Sequence, residues 1–373
     1  MAVDNFLKLE SKYLNYASPV FMVKINDKEM ETLFSLGDIT VELTAKYEAS
    51  ACRFYIKNAF EIDGVTKIEL NKDLHKLIQL GNKVEASLGY KEAGLVHVFS
   101  GYIDRIDVDY NKDVGIVYSV ECLDGKGIMM NSHRSEAKVG IEKYSDAVEE
   151  VLKKYTSVLK VSSGKFDKTD AVTTNIIEQY NESDYNFVIR MAKKLNYCFF
   201  IEKGEVYFEP FTKLSKDPIF DFNINHYMYE FHMHASLKNF VSSVTVRAND
   251  EKDETKFFEG KADKFQSNVE SGSGSPKIAT LINDVTTKTF VDLSVDSEQQ
   301  AKEFAQGKLN EISYGMYRGT VKTVGMPELF PGKVVTMTGF GDGYDQKYYV
   351  AIVKHKIYKG AYTTECELEV NKK

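Results

Sequence analysis

Alternation with a period of two dominates both ends of this chain and restricts those ends to strands. Ile39, Val41, Leu43 and Ala45 alternate with polar residues, as do Val84, Ala86 and Leu88, and then Val114, Ile116, Tyr118, Val120 and Cys122. The apolar run Val20-Phe21-Met22-Val23 stops before the turn-prone Asn26-Asp27. The last third behaves the same way, in Phe240, Ser242, Val244, Val246 and Ala248, in Val334 to Met337, in Tyr348 to Val353, and in Tyr362, Thr364, Cys366, Leu368 and Val370. Such alternation buries one face of a strand and wets the other. Regular short strands with little helix between them point to a barrel or a sandwich.

The middle of the chain changes period. Ser145-Asp146 can cap a helix whose apolar stripe is Ala147, Val148, Val151, Leu152 and Tyr155. A second helix starts near Ser183-Asp184, carries Phe187, Val188, Met191, Ala192 and Leu195, and runs into Tyr197-Cys198-Phe199-Phe200-Ile201. A turn at Lys203-Gly204 and the run Val206-Tyr207-Phe208 complete a helix–hairpin α+β unit. A third helix is expected at 298–313, with Ser297 and Gln300 as a capping box and Ala301, Phe304, Ala305, Leu309 and Ile312 on its apolar face. Residues 249–276 are charged and then Gly/Ser-rich, which predicts a mobile loop.

The two strand-rich ends echo each other. Asn82-Lys83-Val84 parallels Gly332-Lys333-Val334, Ile103 and Arg105 parallel Ile352 and Lys354, and Tyr118 to Cys122 parallels Tyr362 to Cys366, at offsets of 250, 249 and 244 residues. The expected fold is therefore mainly β with an α+β insert: two similar small β-barrels plus a helix–hairpin α+β domain. The expected boundaries are 1–125 for the first barrel, 126–215 for the insert and 216–373 for the second barrel. A length of 373 residues suits two or three domains.

Composition limits the function. The chain holds 48 Lys+Arg against 55 Asp+Glu, a net charge of −7, so a polybasic nucleic-acid binder is excluded. No stretch approaches the roughly 18 apolar residues of a membrane span. Cys52, Cys122, Cys198 and Cys366 are scattered through apolar segments, which suggests buried free thiols rather than a disulfide framework or a zinc site. Gly339-Phe340-Gly341-Asp342-Gly343 lies between strands, where a phosphate-binding loop would have to open a helix. His226, His232 and His234, with Glu230, are the best candidates for a metal, but a solvated or tyrosine-packed strand accounts for them without one. Lys153-Lys154 and Lys193-Lys194 suit solvated helix faces. No catalytic motif and no cofactor fingerprint is present, and many Tyr and Phe suit protein–protein contact.

One segment carries a family motif. Glu182-Ser183-Asp184, Phe187, Arg190 and Ala192 resemble the E-S-D-x-x-F-x-x-R-x-A helix of phage late control D proteins, shared by the valine-glycine-repeat spikes of type VI secretion. Phe99-Ser100-Gly101-Tyr102-Ile103 resembles that family's F-x-G-x-I/V strand, and Leu329-Phe330-Pro331-Gly332 its L-x-P-G strand entry. Val353-Lys354-His355 with Gly360-Ala361-Tyr362-Thr363-Thr364 resembles its closing hairpin. The resemblance implies the baseplate central hub of a contractile tail, from a myophage, a tailocin or a related injection system. It implies a homotrimer joining a hexameric tail tube, or its initiator, to a trimeric spike, with tape-measure and other baseplate proteins as further partners. No specific nucleic-acid binding, no membrane insertion by this chain, no enzyme activity, no cofactor and no metal are expected. The chain would be made in the bacterial cytoplasm and built into the baseplate. Gly101, Ser183, Asp184, Phe187, Arg190, Pro331, Gly332 and His355 are expected to have structural roles. No spike repeat, lysozyme or peptidase module is recognisable before Lys373, so the spike is expected on a separate protein. A tail-associated cell-wall hydrolase and a carbohydrate-binding tail protein are the alternatives; the absence of Trp weighs against the second.

Overall fold

The structure, a computed structural model, describes residues 4–30, 36–57, 59–63, 67–111, 115–173, 176–237, 240–250, 253–267, 269, 273–274, 286–292, 295–341 and 343–371. Most of the alternating segments fall within two sets of six strands, whereas Phe240 to Ala248 leads into Ser243–Asp250, a strand of a separate sheet. The first set is β1 (Pro19–Ile25), β2 (Leu36–Thr44), β3 (Ala51–Ile56), β4 (Lys83–Tyr90), β5 (Gly94–Asn111) and β6 (Gly115–Leu123). The second is β7 (Pro218–Asn223), β8 (Met228–Ala235), β9 (Tyr317–Val324), β10 (Val334–Thr338), β11 (Lys347–Tyr358) and β12 (Ala361–Val370).

Both sets follow one strand order. The first reads β1-β4-β5-β6-β3-β2 across the sheet, and the second reads β7-β10-β11-β12-β9-β8. The register repeats as well. Glu121 on β6 lies between Arg53 on β3 and Arg105 on β5, and Glu365 on β12 lies between Lys322 on β9 and Lys354 on β11. Each set thus carries a cation–anion–cation rung at the same place, a favourable cross-strand pattern. One pairing departs from the pattern: β1 runs antiparallel to β4, whereas β7 runs parallel to β10.

The two sets are joined edge to edge. β2 pairs antiparallel with β11 from Ile39 opposite Ile357 to Thr44 opposite Ile352, making one 14-stranded sheet. They also share one apolar core, in which Val41, Phe54, Val120, Val353 and Leu368 are all fully buried. A second core belongs to the α+β insert, where helices α1 (Tyr144–Lys153) and α2 (Asp184–Leu195) pack with the hairpin of strands Tyr197–Glu202 and Glu205–Pro210. A third lies under helix α3 (Glu298–Ser313), which packs on the strands Ser243–Asp250 and Asp253–Ala262 through Ala301, Ala305 and Leu309.

Two local expectations are corrected. Ser145 does not cap α1. That helix begins at Tyr144 after Lys143, which makes no side-chain cap, and the Ser145 N–H donates to Asp170 Oδ2 at 3.1 Å. Distant Asp170 supplies the acceptor that a capping Ser would have given. Within 249–276, expected as a mobile loop, Asp253–Ala262 is a strand antiparallel to Ser243–Asp250. Its charged residues mask a period of two that turns Phe258, Gly260 and Ala262 toward α3. Phe265–Gln266 pairs antiparallel with Ser273–Gly274, and of this stretch residues 251–252, 268, 270–272 and 275–276 lie outside the described residues.

Gly260 sets how closely α3 approaches. A Cβ there would stand 2.2 Å from the Ala301 carbonyl carbon and the Lys302 nitrogen, both backbone atoms that cannot rotate away. Gly260→Ala is expected to cost on the order of 2 kcal/mol by pushing the helix off the sheet. Urea denaturation checks it, and an unchanged midpoint would contradict this packing.

Candidate functional site

The motif residues of the insert form a buried polar clamp. Ser183 is the N-cap of α2, its Oγ accepting from the Asn186 N–H at 3.0 Å. Asp184 follows in the first turn and is fully buried. Its carboxylate accepts from Tyr155 Oη at 2.6 Å, Gln179 Nε2 at 2.8 Å and Arg134 Nε at 3.2 Å. Its backbone N–H donates to Ser132 Oγ at 2.7 Å. Burial alone would raise the Asp184 pKa. The Tyr155 and Gln179 hydrogen bonds, with the charges of Lys154 and Arg134, outweigh burial and hold it below the usual carboxylate value. The same contact, added to burial, pushes Tyr155 up to about 12.

Arg190 stands two turns further along α2. It pairs with Glu182, donates to the Glu178 carbonyl at 2.6 Å and lies 5.4 Å from the centre of the Phe187 ring. Phe187 is fully buried in the insert core. These residues fasten α2 to the strands Arg134–Ala137 and Glu178–Glu182, which pair with each other. Every polar group named here points at another part of the insert.

The remaining motif residues tie the insert to the sheet. Gly332 has φ +80°, and a Cβ there would meet Phe200 Cζ at 2.7 Å. Its N–H donates to the Val350 carbonyl at 2.8 Å. Pro331 precedes it in the turn that leads into β10, and Lys333 after it pairs with Glu202 of the insert hairpin at 2.9 Å. His355 on β11 is fully buried. Its Nε2 faces the Leu329 carbonyl at 3.2 Å, which can only accept, so Nε2 carries the proton. Its Nδ1 then accepts from Tyr362 Oη at 3.0 Å. His355 thereby links β11, β12 and the Leu329-to-Gly332 turn. Gly101 lies on β5, where a Cβ would meet the Leu123 carbonyl oxygen at 2.2 Å and the Phe99 ring at 2.6 Å. Only glycine allows that close strand contact.

The other candidates stay apart from this network. His232 and His234 occupy the exposed face of β8 with ring centres 5.9 Å apart, and Glu230 pairs with Lys322. Among the described residues no three His, Cys, Asp or Glu side chains converge as a metal site would need. Cys52 and Cys122, 70 positions apart, prove to be direct cross-strand partners, buried and free, as Cys198 and Cys366 are also buried and free. No local pattern in the sequence signals this adjacency, because pairing register is a long-range property. Nor does any signal Tyr155, Gln179 and Arg134 around Asp184.

A cleft of about 260 Å³ opens where the three cores meet, lined among others by Lys46, Asn196, Gly307, Arg318, Tyr349 and Glu369. Glu369 is buried and pairs with Lys46 at 3.1 Å and Arg318 at 3.3 Å. Beside it, Asn196, Gln266 and Asn310 exchange amide hydrogen bonds, at 3.1 Å and 3.3 Å from Asn310, which connect the insert to the α3 layer. These groups satisfy one another, as an inter-layer joint requires. Among the described residues no helix is long and apolar enough to cross a membrane.

Comparison with known proteins gives the fold its relatives. The family model described as the Alg8 N-terminal domain matches residues 20–359. None of the curated proteins matches the sequence. Among solved structures, the 43 kDa tail protein of prophage MuSo2 from Shewanella oneidensis is 14% identical, with a TM-score of 0.67 over 94% of this chain and 98% of that one. A tail protein from Neisseria meningitidis is 13% identical, with a TM-score of 0.67 over 94% of this chain and 96% of that one. An Escherichia coli component of the type VI secretion system, described as structurally similar to T4 bacteriophage tail proteins, is 9% identical, with a TM-score of 0.55 over 93% and 76%. The expected likeness to proteins of phage tails and type VI secretion is borne out as a likeness of fold.

Two measurements check the network. Asp184→Ala leaves Arg134 and Tyr155 without their acceptor and is expected to cost about 3 kcal/mol, read by urea denaturation at pH 7. His355 is held neutral by burial, its pKa pushed down from 6.5 to about 4. As pH falls the unfolded chain takes up this proton first. The stability contributed is therefore complete above pH 6.5 and declines toward pH 4, by about 3 kcal/mol in total. A melting curve at each pH should show that slope, and His355→Gln should flatten it.

Proposed function

The chain belongs to the Alg8 N-terminal domain family, and from its fold we propose that it is the central hub of a contractile-tail baseplate. In this reading it is a homotrimer that joins a hexameric tail tube, or the tube's initiator, to a trimeric spike carried on a separate protein. The observation that carries the reading is the doubled strand order, β1-β4-β5-β6-β3-β2 against β7-β10-β11-β12-β9-β8, inside one chain. Two similar units per chain make six per trimer, so a three-fold assembly presents a quasi-six-fold face. The insert and the α3 layer, each with its own core, would then be the parts free to differ between the tube side and the spike side.

The tail proteins and the type VI component that share this fold support the assignment. The motif residues are engaged in holding elements together, which fits a mechanical part and not a catalyst. We place the protein in a phage tail or phage-tail-like particle, assembled after synthesis in the bacterial cytoplasm, with tape-measure and other baseplate proteins as neighbours. Domain limits near 125 and 215 follow from the same reading, with the two outer segments as barrels and the insert between them.

The test is the mass of the native protein, alone and mixed with its cognate tube and spike proteins. A species of three 42.4 kDa chains is expected. A chain that stays monomeric with both partners present would remove the hub reading.

A further inference from the structure

The junction inside the chain joins β2 of the first unit to β11 of the second. Its counterpart would join β8, the equivalent of β2, to β5, the equivalent of β11. Within one chain β8 and β5 are not paired with each other. Both edges are open. β11 pairs with β10 over Lys347–Tyr349 and with β2 over Ile352–Ile357 along the same edge. β5 pairs with β4 over Gly94–Tyr102, but among the described residues no strand continues along that edge beside Asp104–Tyr110. β8 pairs with β9 on one side and, among the described residues, with no strand on the other.

Burial shows what each edge lacks. The register aligns Val108 with Ile357, and Phe231 and Met233 with Val41 and Leu43. Ile357, Val41 and Leu43 at the intrachain junction are 5%, 0% and 4% exposed. Val108 is 55% exposed, and Phe231 and Met233 are only partly buried. Apolar side chains that the internal junction covers are left open at the two remaining edges. An open, partly apolar edge strand is a template for strand addition.

We propose that these two edges meet between copies of this chain: β8 of one subunit adds to β5 of the next, antiparallel, and repeats between subunits the β2–β11 junction found within each. The register follows from the internal one. Lys354 opposite Glu42 becomes Arg105 opposite His232 of the neighbouring copy, and His355 opposite Val41 becomes Ile106 opposite Phe231. A closed ring of three chains then holds six junctions, three internal and three between subunits. The inference rests on the trimeric hub reading and adds the surface and register of its subunit contact.

Paired cysteines test it in the full-length protein, assembled with its cognate partners. Arg105→Cys with His232→Cys, both at exposed positions, should give covalent species of two and three chains on oxidation, and neither single variant should form them. Arg105→Cys with Met233→Cys slips the register by one residue, puts the thiols on opposite faces and should not cross-link. Val108→Lys should shift the native mass from trimer to monomer while the melting temperature of the monomer is unchanged. A trimer by native mass in which the first pair fails to cross-link, or cross-links no better than the slipped pair, would overturn the strand-edge contact and leave the hub reading standing. A monomer with all partners present would overturn both.

Discussion

The antiparallel pairing of β2 with β11 is the contact on which the rest of the molecule depends. Without it the chain would be two small sheets, each with an open edge and half a core. With it, Val41 and Leu43 from one unit and Val353 and Ile357 from the other become parts of a single buried layer. A unit of six short strands buries modest apolar area on its own, and sharing a core raises the buried fraction, as it does for any small domain. The Lys354–Glu42 contact at 3.4 Å sits on the wet side of this pairing and contributes little energy, but it favours one register over its neighbours.

Around that sheet, the inserted layers are held by polar groups that leave little freedom. Phe200 reaches from the insert hairpin onto Gly332, where the positive φ and the missing Cβ make its seat. His355 fixes the turn that presents Gly332. Asp184 fixes the helix that precedes the hairpin. The motif therefore spells out one continuous support that runs from α2, through the hairpin, to the entry of β10. Its polar members are costly to bury alone and depend on partners from elsewhere in the chain, Tyr155, Gln179 and Arg134 for Asp184 and the Leu329 carbonyl and Tyr362 for His355. That interdependence explains why such a set of residues can serve a structural part as specifically as a catalytic set serves an enzyme.

Much of this was legible in the sequence, and the failures have a common cause. Period-two alternation located the strands, and the echo of Asn82 to Cys122 in Gly332 to Cys366 located the repeated meander, because both signals are local. Ser183 and Ser297 were recognisable as caps for the same reason. What escaped was whatever depends on partners far along the chain. Asp170 supplies the acceptor at the start of α1 from 25 residues away, Cys52 faces Cys122, and the strand Asp253–Ala262 is amphipathic only once α3 lies on it. The join between the two units was invisible for a related reason: nothing in Ile39 to Thr44 distinguishes an edge that pairs with its own chain from one that faces water.

A chain with one internal junction and one open pair of matching edges has a restricted set of assemblies. The contact that the open edges can make is heterologous, because β5 and β8 are different strands, so it does not pair a strand with its own copy across a two-fold axis. Repetition of a heterologous contact yields a ring or a filament, and the rotation between successive units decides which. Here that rotation is already built into each chain by the β2–β11 pairing. If the contact between chains copies the contact within them, the turn from unit to unit is constant, and closure is a property of the internal sheet. Ring size is then set before any two subunits meet, by the twist of a junction that every monomer already contains.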